Sequence, residues 1–168
     1  MSKPSVHPSF DAAVVDADED RRDRIIEVLM KQGFHVPVAN AELSAEPEVN
    51  IDLFVLVGAD RRIEDCRRIR SLSAHANTMV LMLTPRNDAQ TIEAAYDAGA
   101  TETLPLPVVW SAFARRVSHV QEFLRARQLT AESRARRETF LRAVPDMIML
   151  VDRDGNNLAP LMDYDGAA

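Results

Sequence analysis

The chain has a single cysteine, Cys66, which excludes an internal disulfide and fits a reducing compartment. It lacks any long apolar run: nothing approaches the roughly 18 residues a membrane span needs. Residues 1 to 10 lack the apolar core of a signal peptide and read as a polar leader. Positive charge is in the minority, with 20 Lys and Arg against 26 Asp and Glu and a net charge of -6. That balance argues against a duplex-binding protein, which needs a clustered basic face. The four histidines, His7, His35, His75 and His119, share no short motif, so no metal site is expected from them. No internal repeat or low-complexity tract is present. These absences point to a soluble cytoplasmic protein with no nucleic-acid partner, no membrane association, no cofactor and no metal. What the chain does have is 46% hydrophobic residues over 168 positions, enough for one ordinary domain with a real core plus an appendage.

The organising stretch is Ile51-Asp52-Leu53-Phe54-Val55-Leu56-Val57-Gly58. It is short, apolar, and rich in β-branched and aromatic residues, the pattern of a fully buried parallel strand. A second apolar run, Ala12 to Val15, leads into the acidic cluster Asp16-Ala17-Asp18-Glu19-Asp20. The spacing predicts a helix there, capped by Asp18 or a neighbour, with Ile25, Ile26 and Leu29 inward and Gly33 closing it. His35-Val36-Pro37-Val38 reads as an edge strand, because Pro37 cannot donate to a ladder. Residues 40 to 48 carry only a weak helical signal. After the central strand a helix is predicted with Ile63, Cys66, Ile69 and Leu72 inward, which makes Cys66 a buried small hydrophobe. Thr78 to Leu83 is a fourth strand delivering Thr84 to its carboxyl end. Asp88 opens a helix with Ile92, Ala95 and Tyr96 inward, and Glu102 to Leu104 is a fifth strand. Five strands alternating with helices predict a doubly wound α/β domain, a five-stranded parallel sheet of order 2-1-3-4-5.

From Val108 to Val144 there is neither proline nor glycine, about 37 residues or ~55 Å if all helical. Phe113, Val117, Val120 and Leu124 recur at four- and three-residue steps, a coiled-coil-like seam that must also cover the sheet. Trp110 with Val120 offers a second apolar side. Beyond Leu124 the sequence turns to Arg125, Arg127, Glu132, Arg134, Arg136, Arg137 and Glu138, a solvated helix surface. A lone helix of that composition is marginal in water. A parallel homodimer is therefore expected through the last helix, with Trp110, Phe113, Val117, Val120 and Leu124 at the interface. Apolar residues return at Phe140, and Met147 to Val151 reads as a strand ending in an Asp-Gly turn, Asp154-Gly155. Only 13 residues follow. The expected layout is a leader (1–10), an α/β domain (11–125), a helical linker (126–144) and the start of a second domain (145–168).

The succession Val14-Val15-Asp16, Asp52 to Leu56, Leu83-Thr84, Gly99-Ala100 and Leu106-Pro107 resembles the receiver domains of bacterial two-component response regulators. In that family an aspartate ending the third strand accepts a phosphoryl group. Two acidic residues after the first strand hold Mg²⁺, and a Thr or Ser and a Lys engage the phosphoryl oxygens. Carried onto this sequence, the acceptor position is Val57, the acidic positions are Asp16 and Ala17, the hydroxyl position is Thr84 and the lysine position is Leu106. An aromatic common in the fifth strand is Thr103 here. A valine cannot accept a phosphoryl group, and without the lysine nothing neutralises the spreading charge. Asp16 alone is a poor Mg²⁺ ligand set. The resemblance implies the fold and a degenerate, non-enzymatic pseudo-receiver, with Leu106–Pro107 cis as receivers commonly have it. The tail from Phe140 to Gly155 resembles the entry of a PAS sensor domain. Chains of that layout front larger signalling proteins, with histidine-kinase or cyclic di-GMP outputs. The expected role is protein–protein interaction: dimerisation, or docking of a signalling partner. The rival expectation is an atypical receiver regulated by phosphorylation or ligand at Asp16, Asp18 or Asp60.

Overall fold

Successive strand residues point to opposite faces of a sheet, and the central strands here are apolar on both. In the computed structural model, which describes residues 10–43, 50–85, 89–143, 149–151 and 157–160, they are β1 (Phe10–Val15), β3 (Leu53–Val57) and β4 (Met79–Thr84). Phe10, Ala12, Val14, Leu53, Val55, Val57, Leu81 and Leu83 enter one core. Ala13, Val15, Phe54, Leu56, Val80 and Met82 enter the other. Burial on both faces is why β3 shows no apolar–polar alternation. With β2 (Phe34–Asn40) and β5 (Glu102–Pro105) at the edges, the sheet runs β2-β1-β3-β4-β5, all parallel.

The helices cover both faces. Helix α1 (Glu19–Lys31) buries Ile25 and Leu29 in the first core, beside the start of α4 (Trp110–Ala143). Helices α2 (Asp60–Ser71) and α3 (Ala89–Asp97) cover the second core through Ile63, Cys66 and Ile69, and through Ala95. Burial raises the Cys66 thiol pKa above its ordinary value, which disfavours the reactive thiolate. Asp18 caps α1, its Oδ1 accepting from the Arg21 backbone N at 2.9 Å. Gly33, at φ +82°, takes the chain out of α1 in the left-handed conformation that ends helices cheaply. Pro37 sits exposed on edge strand β2, beside a register shift against β1.

In two places the side chains lie differently from the sequence expectation. Tyr96 faces outward, because α3 turns Ala95 rather than Tyr96 onto the sheet. The seam Phe113, Val117, Val120 and Leu124 is wholly enclosed in the first core with β1, β3 and α1. Trp110 also packs against that core, edge-on to Phe113 with ring centroids 6.1 Å apart and the Arg24 guanidinium 5.7 Å over its face. Val120 is 4% exposed and Trp110 half-buried, so little of the expected second apolar side remains open. The seam expected at an interface is spent on the chain's own sheet.

The β2–β3 connection contains no helix among its described residues, 41–43 and 50–52. Its first three residues are each fastened to α2 by an arginine. The Arg62 Nη2 donates to the Ala41 carbonyl at 2.7 Å, Arg61 pairs with Glu42 at 2.6 Å, and Arg68 donates to the Leu43 carbonyl at 3.0 Å. The chain divides into two compact units, Met1–Leu124 and Arg125–Ala168. The second contains the rest of α4 and an antiparallel pair, β6 (Met149–Val151) with β7 (Asn157–Pro160). The Asp-Gly turn expected between them lies outside the described residues.

Candidate functional site

In open parallel sheets, ligands sit beyond the carboxyl ends of the strands, where order reverses. That place here is the end of β1, β3 and β4, occupied by Asp16, Val57 and Thr84. Their alignment follows from register, since Val15 pairs with Leu56 and Val57 with Leu83. The backbone locks this end: Asp16 N donates to the Asn40 carbonyl at 3.0 Å and Gly58 N to the Leu83 carbonyl at 2.9 Å.

Asp16 is 0% exposed. A carboxylate so buried requires a counter-charge and filled lone pairs. Both come from α1. The Arg21 Nε donates to Asp16 Oδ2 and its Nη2 to Oδ1, each at 2.6 Å, a bidentate fork. Oδ1 also accepts the Asp18 backbone N at 3.0 Å, and Arg22 Nη1 donates to the Asp16 carbonyl at 2.9 Å. The Arg21 Nη1 lies 3.5 Å from Asp18 Oδ2, so its guanidinium sits between two carboxylates. Hydrogen bonding to Asp16 raises the Arg21 pKa further above an already high ordinary value. Ala17, at the second acidic position, is exposed and brings no ligand.

At the end of β3, Val57 is 5% exposed and belongs to the first core. Its carbonyl accepts Arg62 Nε at 3.4 Å, and the Arg62 Nη1 pairs closely with Asp65. Gly58, at φ +143°, lets Arg62 lie this near, since a Cβ there would stand 3.0 Å from Arg62 Cγ. Thr84 is buried, and its carbonyl accepts Leu106 N at 2.8 Å. Leu106 turns its side chain onto the first core, and Leu106–Pro107 is cis, as expected. Thr103 is half-buried on β5. Of the remaining acidic candidates, Asp18 is committed to its cap and Asp60 is an exposed residue in the first turn of α2.

The five pocket positions thus fall around one end of the sheet, and the one carboxylate among them, Asp16, is already paired with Arg21. Among the described residues, no group of three or more His, Cys, Asp or Glu could hold a metal ion. Sequence reasoning missed both arginines. Arg21 stands five residues after Asp16, one turn into the helix Asp18 caps, and that spacing was the available signal. Arg62 gave only its i,i+3 spacing to Asp65, because its other partners are the Val57 and Ala41 backbone carbonyls.

No family model matches the chain, and no curated protein matches it by sequence. Solved structures do. A response regulator from Thermotoga maritima is 24% identical with a TM-score of 0.56, covering 67% of this chain and 98% of that one. The fold is that of response-regulator receivers. The chemotaxis response regulator CheY4 of Vibrio cholerae matches at 18% identity and TM-score 0.58, over 67% of this chain and 99% of its own. An orphan response regulator of H. pylori matches at 17% and 0.54, over 68% and 98%. The receiver-like sheet therefore accounts for about two thirds of the sequence. Among the described residues, no helix is long and apolar enough to cross a membrane.

Proposed function

We propose that this chain is a non-phosphorylatable pseudo-receiver acting as a protein–protein interaction module of a cytoplasmic signalling protein. The observation carrying this reading is Val57: an apolar side chain, buried in the core, at the one strand end where the fold's chemistry needs a nucleophile. Leu106 on the same core and Asp16 held by Arg21 remove the remaining charge apparatus. The binding partner is another protein, or a second copy meeting the exposed side of α4. Among the described residues of the first unit, Phe123 on α4 and Val109 just before it are exposed apolar side chains that such a contact could use, unlike the buried seam. The second unit, with its antiparallel pair, is read as the opening of a PAS domain that passes signals to a histidine-kinase or cyclic di-GMP output.

Acetyl phosphate and Mg²⁺ should leave the intact mass of the chain unchanged. A phosphoryl adduct would sink the reading, and mapping it to Asp16, Asp18 or Asp60 would favour an atypical phosphoacceptor instead. Val57→Asp alone should also stay unmodified, because Leu106 supplies no positive charge.

A further inference from the structure

The Mg²⁺ that the receiver resemblance implies does not fit the residues present, and the misfit is informative. A small hard cation takes one or two carboxylates and oxygen ligands in a tight shell. Two carboxylates do converge at the end of β1, Asp16 wholly buried and Asp18 half-exposed, but the Arg21 guanidinium lies between them. Both Asp16 oxygens are taken by its fork.

We propose that the Arg21 guanidinium is the resident cation of this pocket: it holds the place at Asp16 that a dissolved divalent cation would need, and fixes the charge of the pocket permanently. Three observations carry this. The Asp16 carboxylate is too buried to go without a positive partner. The fork geometry satisfies both oxygens at once, which a single exchangeable ion in solution must do against a tethered competitor. Asp18 places Arg21 by capping the same helix turn through the Arg21 backbone N, so side chain and backbone of one residue serve the two carboxylates. Unlike a bound metal, this cation neither dissociates nor titrates in the physiological range. The end of β1 is therefore held in one electrostatic state, whatever the ions and phosphodonors around it. The inference rests on reading the pocket as chemically silent and goes further by naming what silences its β1 side.

The test is Mn²⁺ binding to the full chain, followed by water-proton relaxation. The unsubstituted chain should show none, Arg21→Met should bind in the millimolar range, and Arg21→Met with Val57→Asp should bind roughly tenfold tighter through the added carboxylate. Arg21→Lys, which keeps a fixed cation, should bind no better than the unsubstituted chain. A folded Arg21→Met that takes up no Mn²⁺ overturns the proposal, as does Arg21→Lys binding as well as Arg21→Met. If Arg21→Met fails to fold in buffer, it is refolded with Mn²⁺ or with K⁺ at equal ionic strength. Recovery by Mn²⁺ alone supports the proposal, and no recovery overturns it. Mn²⁺ uptake by the unsubstituted chain defeats this inference, while the phosphodonor assay judges the silent pocket separately.

Discussion

Helix α4 is one stretch of backbone with two different reasons for being helical. From Trp110 to Leu124 every third or fourth side chain is inside the first core, and tertiary packing holds the turns. From Arg125 to Thr139 nearly every position is exposed, and the largest apolar side chain, Leu129, is 67% exposed. There the helix rests on good helix formers and on local contacts such as Glu132–Arg136 at 3.8 Å. A polar-all-round segment of this kind fits a solvated helix. Apolar periodicity, then, locates what a helix packs on, but not whether that surface is its own sheet or another chain. Phe113 to Leu124 had the spacing of a coiled coil, and the sheet claimed it.

That contrast can be broken at graded points along the helix. Phe113→Ala should cost about 3–5 kcal/mol, because it empties a fully enclosed site; urea unfolding followed by circular dichroism reads it, and a loss under 1 kcal/mol would deny the packing described. Leu124→Ala, at the rim of the same core, should cost about 2–3 kcal/mol, the low end for such a truncation. Leu129→Ala should fall within about 0.5 kcal/mol of the parent, as surface changes do. A larger loss would mean that something covers Leu129 in solution. Smallest of all, Arg136→Ala should cost no more than about 0.5 kcal/mol and lose even that in high salt, as an exposed i,i+4 pair predicts.

The same reasoning settles which variant can test association. Val120→Glu would place a charge in the core and unfold the domain, so loss of a dimer would say nothing about an interface. Phe123→Glu changes a side chain that is 53% exposed and leaves the core intact. If two copies meet on this side of α4 as proposed, sedimentation velocity on that variant shows weakened association relative to the parent; an unchanged distribution would move the contact away from this side of α4.

Much of the sheet could be read from the sequence because burial on both faces leaves unbroken apolar runs at β3 and β4, and because Gly33 and Asp18 punctuate α1 by their own chemistry. The valine that ends β3 was legible for the same reason: Val57 is one residue at the end of one clear strand. Tyr96 was misplaced because the small residue beside it, Ala95, is what brings α3 close to the sheet, and a bulky ring next to a small one says little about which turns inward. The arginines were harder. Arg21 reaches Asp16 across a turn, and Arg62 reaches Val57 and Ala41 through backbone carbonyls, relations that leave no periodic trace; only the Arg62–Asp65 pair has helical spacing. Glu27 is a milder instance: its hydrogen bond to Lys31, with Arg24 nearby, lowers its pKa below the ordinary carboxyl value on a half-exposed face, visible only once the helix is built.

Trp110 is the chain's only tryptophan, and it stands where α4 begins, edge-on to Phe113 and under the Arg24 guanidinium of α1. The molecule thus carries its own optical gauge. Indole emission reports on the seat between these two helices, without interference from any other indole. A partner that slides α4 against α1 would change its colour or quenching, whereas one that binds only beyond Leu124 would leave it dark to the event.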